Sequence, residues 1–122
     1  MKHILLVDDV STNLKCVGLI LKNKYKLTMV KSGREALDFL NTATPDLVLL
    51  DIHMQDMDGY EVMQHMNGNP ETANIPVILL TADSEKGSEE RGTALGAVDF
   101  IRKPFEPQVL LDRIEEVWKT EE

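Results

Sequence analysis

Five short apolar runs punctuate the chain, at residues 4–7, 26–30, 47–50, 76–80 and 98–101. The first, third and fourth are apolar at consecutive positions, which predicts strands covered on both faces, as in a parallel sheet held between two helical layers. The second alternates and predicts an edge strand. Between the runs the period changes to that of a helix. Leu14, Val17, Gly18 and Leu21 fall at i, i+3, i+4 and i+7, with Ser11 placed to cap that helix. Shorter stripes follow in Ala36, Leu37 and Leu40 and in Val62, Met63 and Met66. The last segment opens with Pro107 in its first turn and sets Leu110, Leu111, Ile114, Val117 and Trp118 on one face. The pattern is strand then helix, five times over. Right-handed crossovers turn it into an α/β, doubly wound, five-stranded parallel sheet with helices on both faces. Its common strand order, 2-1-3-4-5, makes strands one and three neighbours at the switch point where ligands bind.

Composition adds limits. At 122 residues the chain is expected to form a single domain over residues 1–122, and 43% apolar with 28% charged residues is ordinary globular usage. A formal charge of −8 repels nucleic-acid phosphates and anionic lipid, so neither direct nucleic-acid binding nor membrane association is expected. The single cysteine, Cys16, rules out an internal disulfide and any multi-cysteine metal site and fits a reducing cytosol. With no apolar span of membrane length and no signal peptide, a cytoplasmic protein is the expectation. Met1 favours a protein that begins here, although a stand-alone protein and a piece of a larger one both fit a sequence that stops just past the fifth helix.

Chemistry concentrates at the strand ends. Strand one ends in Asp8-Asp9, strand three in Asp51, strand four in Thr81, and strand five runs through Arg102 into Lys103-Pro104. Neighbouring strands lie about 4.8 Å apart, so the three carboxylates are expected to share one pocket. Clustered anions need a proton or a cation, and their hard oxygens suit Mg²⁺, which usually takes one or two carboxylates and leaves room for substrate phosphate oxygens. Thr81 and Lys103 approach from the other side, offering a hydroxyl donor and a cation to a phosphoryl group carried by Asp51.

Taken together, Val7-Asp8-Asp9, residues 46–51, Met54, Asp58-Gly59, Leu80-Thr81-Ala82, Gly96-Ala97 with Asp99-Phe100, and Lys103-Pro104-Phe105 resemble the receiver domains of two-component response regulators over essentially the whole chain. The chemotaxis regulator of that family itself shows the order 2-1-3-4-5, so this expectation is partly the family's. The resemblance implies that Asp51 takes phosphate from a histidine of a sensor kinase or phosphotransfer protein. It implies direct Mg²⁺ ligation by Asp9 and Asp51, a water-mediated role for Asp8, and a backbone carbonyl ligand from His53. It makes Thr81 and Phe100 the switch pair, Lys103 the phosphoryl cation, and Lys103-Pro104 a cis bond. It further implies a switching face built from helix 4, strand 5 and helix 5, a partner or adjoining output domain, and a possible homodimer through that face. The domain is then a signalling phosphoacceptor and not a metabolic enzyme, with its own capacity for phosphorylation from small acyl phosphates and for dephosphorylation.

Blander readings stand beside these. Asp8-Asp9 also suits a helix start, Asp51 a loop cap, Thr81 a strand position and Lys103 a solvated loop; it is the constellation that favours chemistry. The methionines 54, 63 and 66 read as core filler, and His3 and His65 as surface or strand-edge residues. His53 and Asp83, each two residues past a site residue, are expected to overhang the phosphoryl site and tune water access. Gln55 stands where the family commonly has proline, which predicts a less rigid loop. Residues 84–95 carry Gly87 and Gly92 and few apolar side chains, so this is expected to be the least stable helix, ordered on activation. Three rivals differ by residue. A phosphohydrolase usually needs an acid where His53 stands, a flavodoxin-like cofactor binder needs a phosphate cradle where Asp8-Asp9 stand, and a degenerate binding module would lack some of the groups present here.

Overall fold

The computed structural model describes residues 1–82 and 85–119. Five strands and five helices alternate as β1 (His3–Val7), α1 (Ser11–Leu21), β2 (Lys26–Val30), α2 (Gly33–Leu40), β3 (Leu47–Leu50), α3 (Gly59–Asn67), β4 (Val77–Thr81), α4 (Ser88–Ala94), β5 (Asp99–Arg102) and α5 (Pro107–Lys119). All four strand pairings are parallel, and the order is β2-β1-β3-β4-β5. Each predicted strand is found within one residue of its run, and the alternating run is indeed an edge.

The consecutive apolar residues of β1, β3 and β4 serve two cores at once. Ile4, Leu6, Leu47, Leu49, Ile78 and Leu80 face α1 and α5, meeting Leu14, Val17, Leu21, Leu110, Ile114 and Trp118. Their neighbours Leu5, Val7, Val48, Leu50 and Leu79 face the other way, toward Ala36, Leu40, Tyr60, Val62, Met63 and Met66. The methionines 63 and 66 are core filler, as expected. All four residues of β3 are fully buried, and burying one such leucine contributes about 2 kcal/mol. This makes β3 a rigid support for Asp51, the next residue.

Two local expectations need correction. Ser11 does not cap α1: the cap position is Val10, with extended backbone (φ −99°, ψ 112°) and no side-chain cap bond, so Ser11 already lies inside the first turn. The helix starts one residue early because the Asp8 carboxylate accepts the Val10 N–H at 2.9 Å and folds the turn tightly. The fourth helix covers 88–94 instead of 84–95, and Ser84 lies outside the described residues. Its glycines are placed where a side chain is disfavoured, by backbone conformation at Gly87 and by lack of space at Gly92. Gly87 sits at the cap with φ +93°, in the left-handed region that glycine tolerates. Gly92 is buried, and a Cβ there would come 2.5 Å from Leu79 Cδ1. This helix is also clasped to α3: the Tyr60 hydroxyl donates to the Ser88 carbonyl at 3.0 Å, Arg91 lies 4.1 Å over the Tyr60 ring, and the Asn67 amide donates to the Leu95 carbonyl at 2.8 Å. Those contacts supply the anchoring that its apolar content does not.

His65 is exposed, as expected. His3, in contrast, begins a strand with a partner on either side, bonds Thr28 Oγ1 through Nε2 at 2.7 Å and meets Phe39 edge-on. Among the described residues no helix is long and apolar enough to cross a membrane.

Candidate functional site

The carboxyl ends of the parallel strands bring the sequence-predicted residues together. Because β1 and β3 are adjacent and in register from Ile4↔Leu47 to Val7↔Leu50, the residues that follow each strand emerge side by side. Asp8, Asp9 and Asp51 each offer an oxygen, and those oxygens lie within 4.8 Å of one another. From β4 comes Thr81, fully buried, paired in register with Arg102. The chain then turns at Lys103, whose backbone N–H donates to the Thr81 carbonyl at 2.8 Å and whose bond to Pro104 is cis, as expected.

The charges are close and poorly hydrated. Lys103 Nζ meets Asp8 Oδ2 at 2.7 Å and stands 3.8 Å from Asp51 Oδ2. In this state, therefore, the lysine expected beside the phosphoryl group is paired chiefly with Asp8. The other Asp8 oxygen takes the Val10 N–H. Burial pushes the Asp51 carboxyl above the usual carboxylate range; Lys103 pulls it back, Asp8 pushes it further up, and the Thr81 hydroxyl and Ile52 N–H favour the ionised form. Yet Asp51 Oδ1 is a buried oxygen that no donor meets at hydrogen-bond geometry. A buried acceptor left without a partner costs about 1–3 kcal/mol. A hard cation placed among these three acids would satisfy it, so the donor set fits Mg²⁺.

The loop from β3 to α3 closes one side of the site. His53 lies in it with an exposed side chain. Gln55, at the position where proline was the family expectation, uses the N–H that proline lacks to bond Asp9 Oδ2 at 3.3 Å. Asp56 was not foreseen. Its two oxygens accept the N–H groups of Gly33 (3.2 Å) and Arg34 (2.9 Å), free donors at the start of α2, while Ser32 accepts from Glu35. The loop is thus tied to both neighbours. Burial alone would raise the Asp56 carboxyl, but the N–H groups of Arg34, Gly33, Met57 and Asp56 itself hold it below the usual value. A carboxylate lowered on folding contributes stability above its unfolded value and loses it as the pH falls through the folded one. Asp56→Ala is accordingly expected to cost about 1 kcal/mol at pH 7, the scale of a lost helix cap, and progressively less toward pH 3; denaturant titrations at both pH values measure it.

Beyond the loop, Asp58 caps α3 in a reciprocal capping box with Glu61. Gly59 packs directly under the acid, donating its N–H to the Ile52 carbonyl at 2.7 Å. A Cβ on Gly59 would lie 2.5 Å from the Asp51 carbonyl oxygen. Phe100, on β5, is half-buried beside Leu79, with the Arg102 guanidinium 5.1 Å from its ring centre. Asp83 lies outside the described residues. A cavity of about 430 Å³ opens next to Lys103, lined by Asn13, Cys16, Val17, Ile20 and Phe105 among others.

Comparison with known proteins agrees with this geometry. The chain is 42% identical over 91% of its length to a probable cyclic di-GMP phosphodiesterase of Vibrio cholerae, of which it spans only 25%. It is 37% identical to the polar-differentiation response regulator DivK of Brucella ovis, with 85% of each chain covered. The signal receiver domain of a signal transduction histidine kinase from Syntrophus aciditrophicus superposes with a TM-score of 0.89 at 36% identity, covering 98% of this chain and 92% of that one. The family model described as the response regulator receiver domain matches residues 4–115, and a chain matched over that span, with the acids, hydroxyl and lysine of its strand ends gathered at one pole, belongs to the response regulator receiver domain family.

Proposed function

We propose that Asp51 is the phosphoacceptor of this receiver domain and that Thr81 and Lys103 complete the reacting site. The orphaned Oδ1 of Asp51, beside Asp8 and Asp9, is the observation that carries the reading. Asp9, Asp51 and the His53 carbonyl would hold a Mg²⁺ ion, with Asp8 acting through water, and the ion would supply charge neutralisation to the phosphoryl oxygens. The protein's own groups do the rest. An ionised Asp51 oxygen forms the new O–P bond as the P–N bond of a partner's phosphohistidine breaks, and the imidazole keeps that electron pair and leaves neutral on protonation. Thr81 donates its hydroxyl to one phosphoryl oxygen. Lys103, already 3.8 Å from Asp51, turns from Asp8 toward another.

The same groups serve a small acyl phosphate, since they belong to this chain and not to the kinase. We assign phosphorelay from a sensor histidine kinase or histidine phosphotransfer protein in the cytoplasm as the setting, with the donor entering beside the cavity at Asn13 and Ile20. Thr81 and Phe100 couple the phosphoryl group to the face of α4, β5 and α5, where the exposed Val98 and Val109 suit a second copy or an output domain.

Incubation with acetyl phosphate tests the reading. A base-labile phosphoryl adduct is expected that maps to Asp51 after borohydride reduction and falls at least about tenfold when EDTA removes the cation. An adduct on another residue, or one indifferent to EDTA, overturns it.

A further inference from the structure

One edge of the sheet differs in charge from the remainder of the molecule. Residues 10–34 hold six of the thirteen basic side chains and none of the twenty-one acids, so that stretch carries +6; the other seven bases and all twenty-one acids leave −14 elsewhere. Lys15, Lys22, Lys24, Lys26 and Lys31 are all exposed. Among the described residues none of the five forms an ion pair, whereas Lys103, Arg113 and Lys119 each meet a carboxylate.

Within this basic edge lies an apolar recess of about 320 Å³ between α1 and β2, lined by Gly18, Leu19, Leu27 and Met29 with Lys15 and Lys22. Leu19 is 65% exposed and Met29 50%. The missing side chain of Gly18 gives the recess its depth, for a Cβ there would sit 3.3 Å from the Met29 sulfur. Lysines along an edge strand ordinarily discourage pairing with a foreign strand. That accounts for Lys26, but not for two large apolar side chains left in water between lysines of a neighbouring helix. An apolar patch with a charged rim is instead the pattern of a recognition surface, and methionine suits it because its thioether adapts to the shape that arrives.

We propose that this recess docks an acidic amphipathic segment of a partner protein, its apolar side chains entering between Leu19 and Met29 and its carboxylates meeting Lys15 and Lys22. Extended polyanions fit less well. The −14 on the other surfaces lies within a domain radius of about 13 Å, little more than a Debye length, and repels any anion long enough to reach past the edge. A short segment feels chiefly the local +6. The site is separate from Asp51 and stands whether or not that acid is phosphorylated.

The test uses the whole chain and a fluorescent sixteen-residue peptide that alternates two glutamates with two leucines, read by anisotropy. Binding is expected to weaken at least about tenfold, equivalent to 1.4 kcal/mol, with Leu19→Asn plus Met29→Thr, and again with Lys15→Glu plus Lys22→Glu. It should weaken similarly when serine replaces the leucines of the peptide, and labelling by acetyl phosphate should be unchanged in both variants. Several results overturn the proposal: no binding below about 1 mM peptide, binding indifferent to either pair of substitutions, capture by phosphatidylserine vesicles in place of the peptide, or self-association abolished by the same substitutions.

Discussion

Asp51→Asn is expected to lower phosphoryl labelling by at least about 10²-fold and, in the same protein, to raise stability near neutral pH. The first effect follows from chemistry: an amide of nearly the same shape has no carboxylate oxygen with which to form an acyl phosphate. The second follows from electrostatics. Burial and then Asp8 act against the ionised carboxylate, and despite Lys103, Thr81 and Ile52 its value on folding rises. A carboxyl raised in this way contributes stability that is fully present below the unfolded value, about 3.9, and is lost as the pH rises through the folded value. Asparagine removes that dependence. Melting curves of both proteins from pH 4 to pH 8, without divalent cation, are therefore expected to diverge in favour of the variant as pH increases. Parallel curves would show that the carboxylate is not penalised by its surroundings, and with that the case for a cation-seeking site would weaken.

Gly59→Ala is expected to destabilise the fold by about 2 kcal/mol, roughly 6–10 °C in Tm, and to slow phosphoryl acceptance as well. Most glycine substitutions at a helix start are mild. Here the new Cβ would lie 2.5 Å from the Asp51 carbonyl oxygen and 3.0 Å from Ile52 Cα, atoms of the backbone that bears the acceptor. No side chain can rotate out of the way. Either α3 moves outward, losing the Gly59–Ile52 bond, or the Asp51 backbone moves and its carboxylate leaves the other acids. Gly68→Ala is the control, because its Cβ would find nothing closer than 3.6 Å, and a change within about 0.5 kcal/mol is expected. Thermal melts separate the two variants. Equal melting temperatures would mean that the loop yields at no cost.

The elements were legible in the sequence to the extent that one face of each could be seen in it. Consecutive apolar residues at 47–50 announce a strand buried on both sides, and the parallel order then sends Asp8, Asp9 and Asp51 to one pole without further information. Contacts between distant residues were not legible. Nothing in a single sequence links Asp56 to the amides of Gly33 and Arg34, since an acid in a polar loop looks the same whether it faces water or a helix start. The clue was slight: two free helix-start donors that Ser32 alone does not satisfy. Similarly, Gly92 read as a weak helix position because propensity scales are blind to what lies beneath, which here is Leu79. Ser11 misled for the opposite reason, a favourable capping residue overridden by the Asp8 turn.

The span from Thr81 to Lys103 acts as a yoke. The Lys103 amide hangs from the Thr81 carbonyl while its ammonium reaches across two strands to Asp8. The residue that bears the hydroxyl and the residue that bears the amine are thereby fixed to a common point, and neither can be repositioned alone. Anyone grafting a new segment beyond β5 inherits this coupling: one residue added between Arg102 and Lys103 would break both attachments together, whatever the quality of the graft.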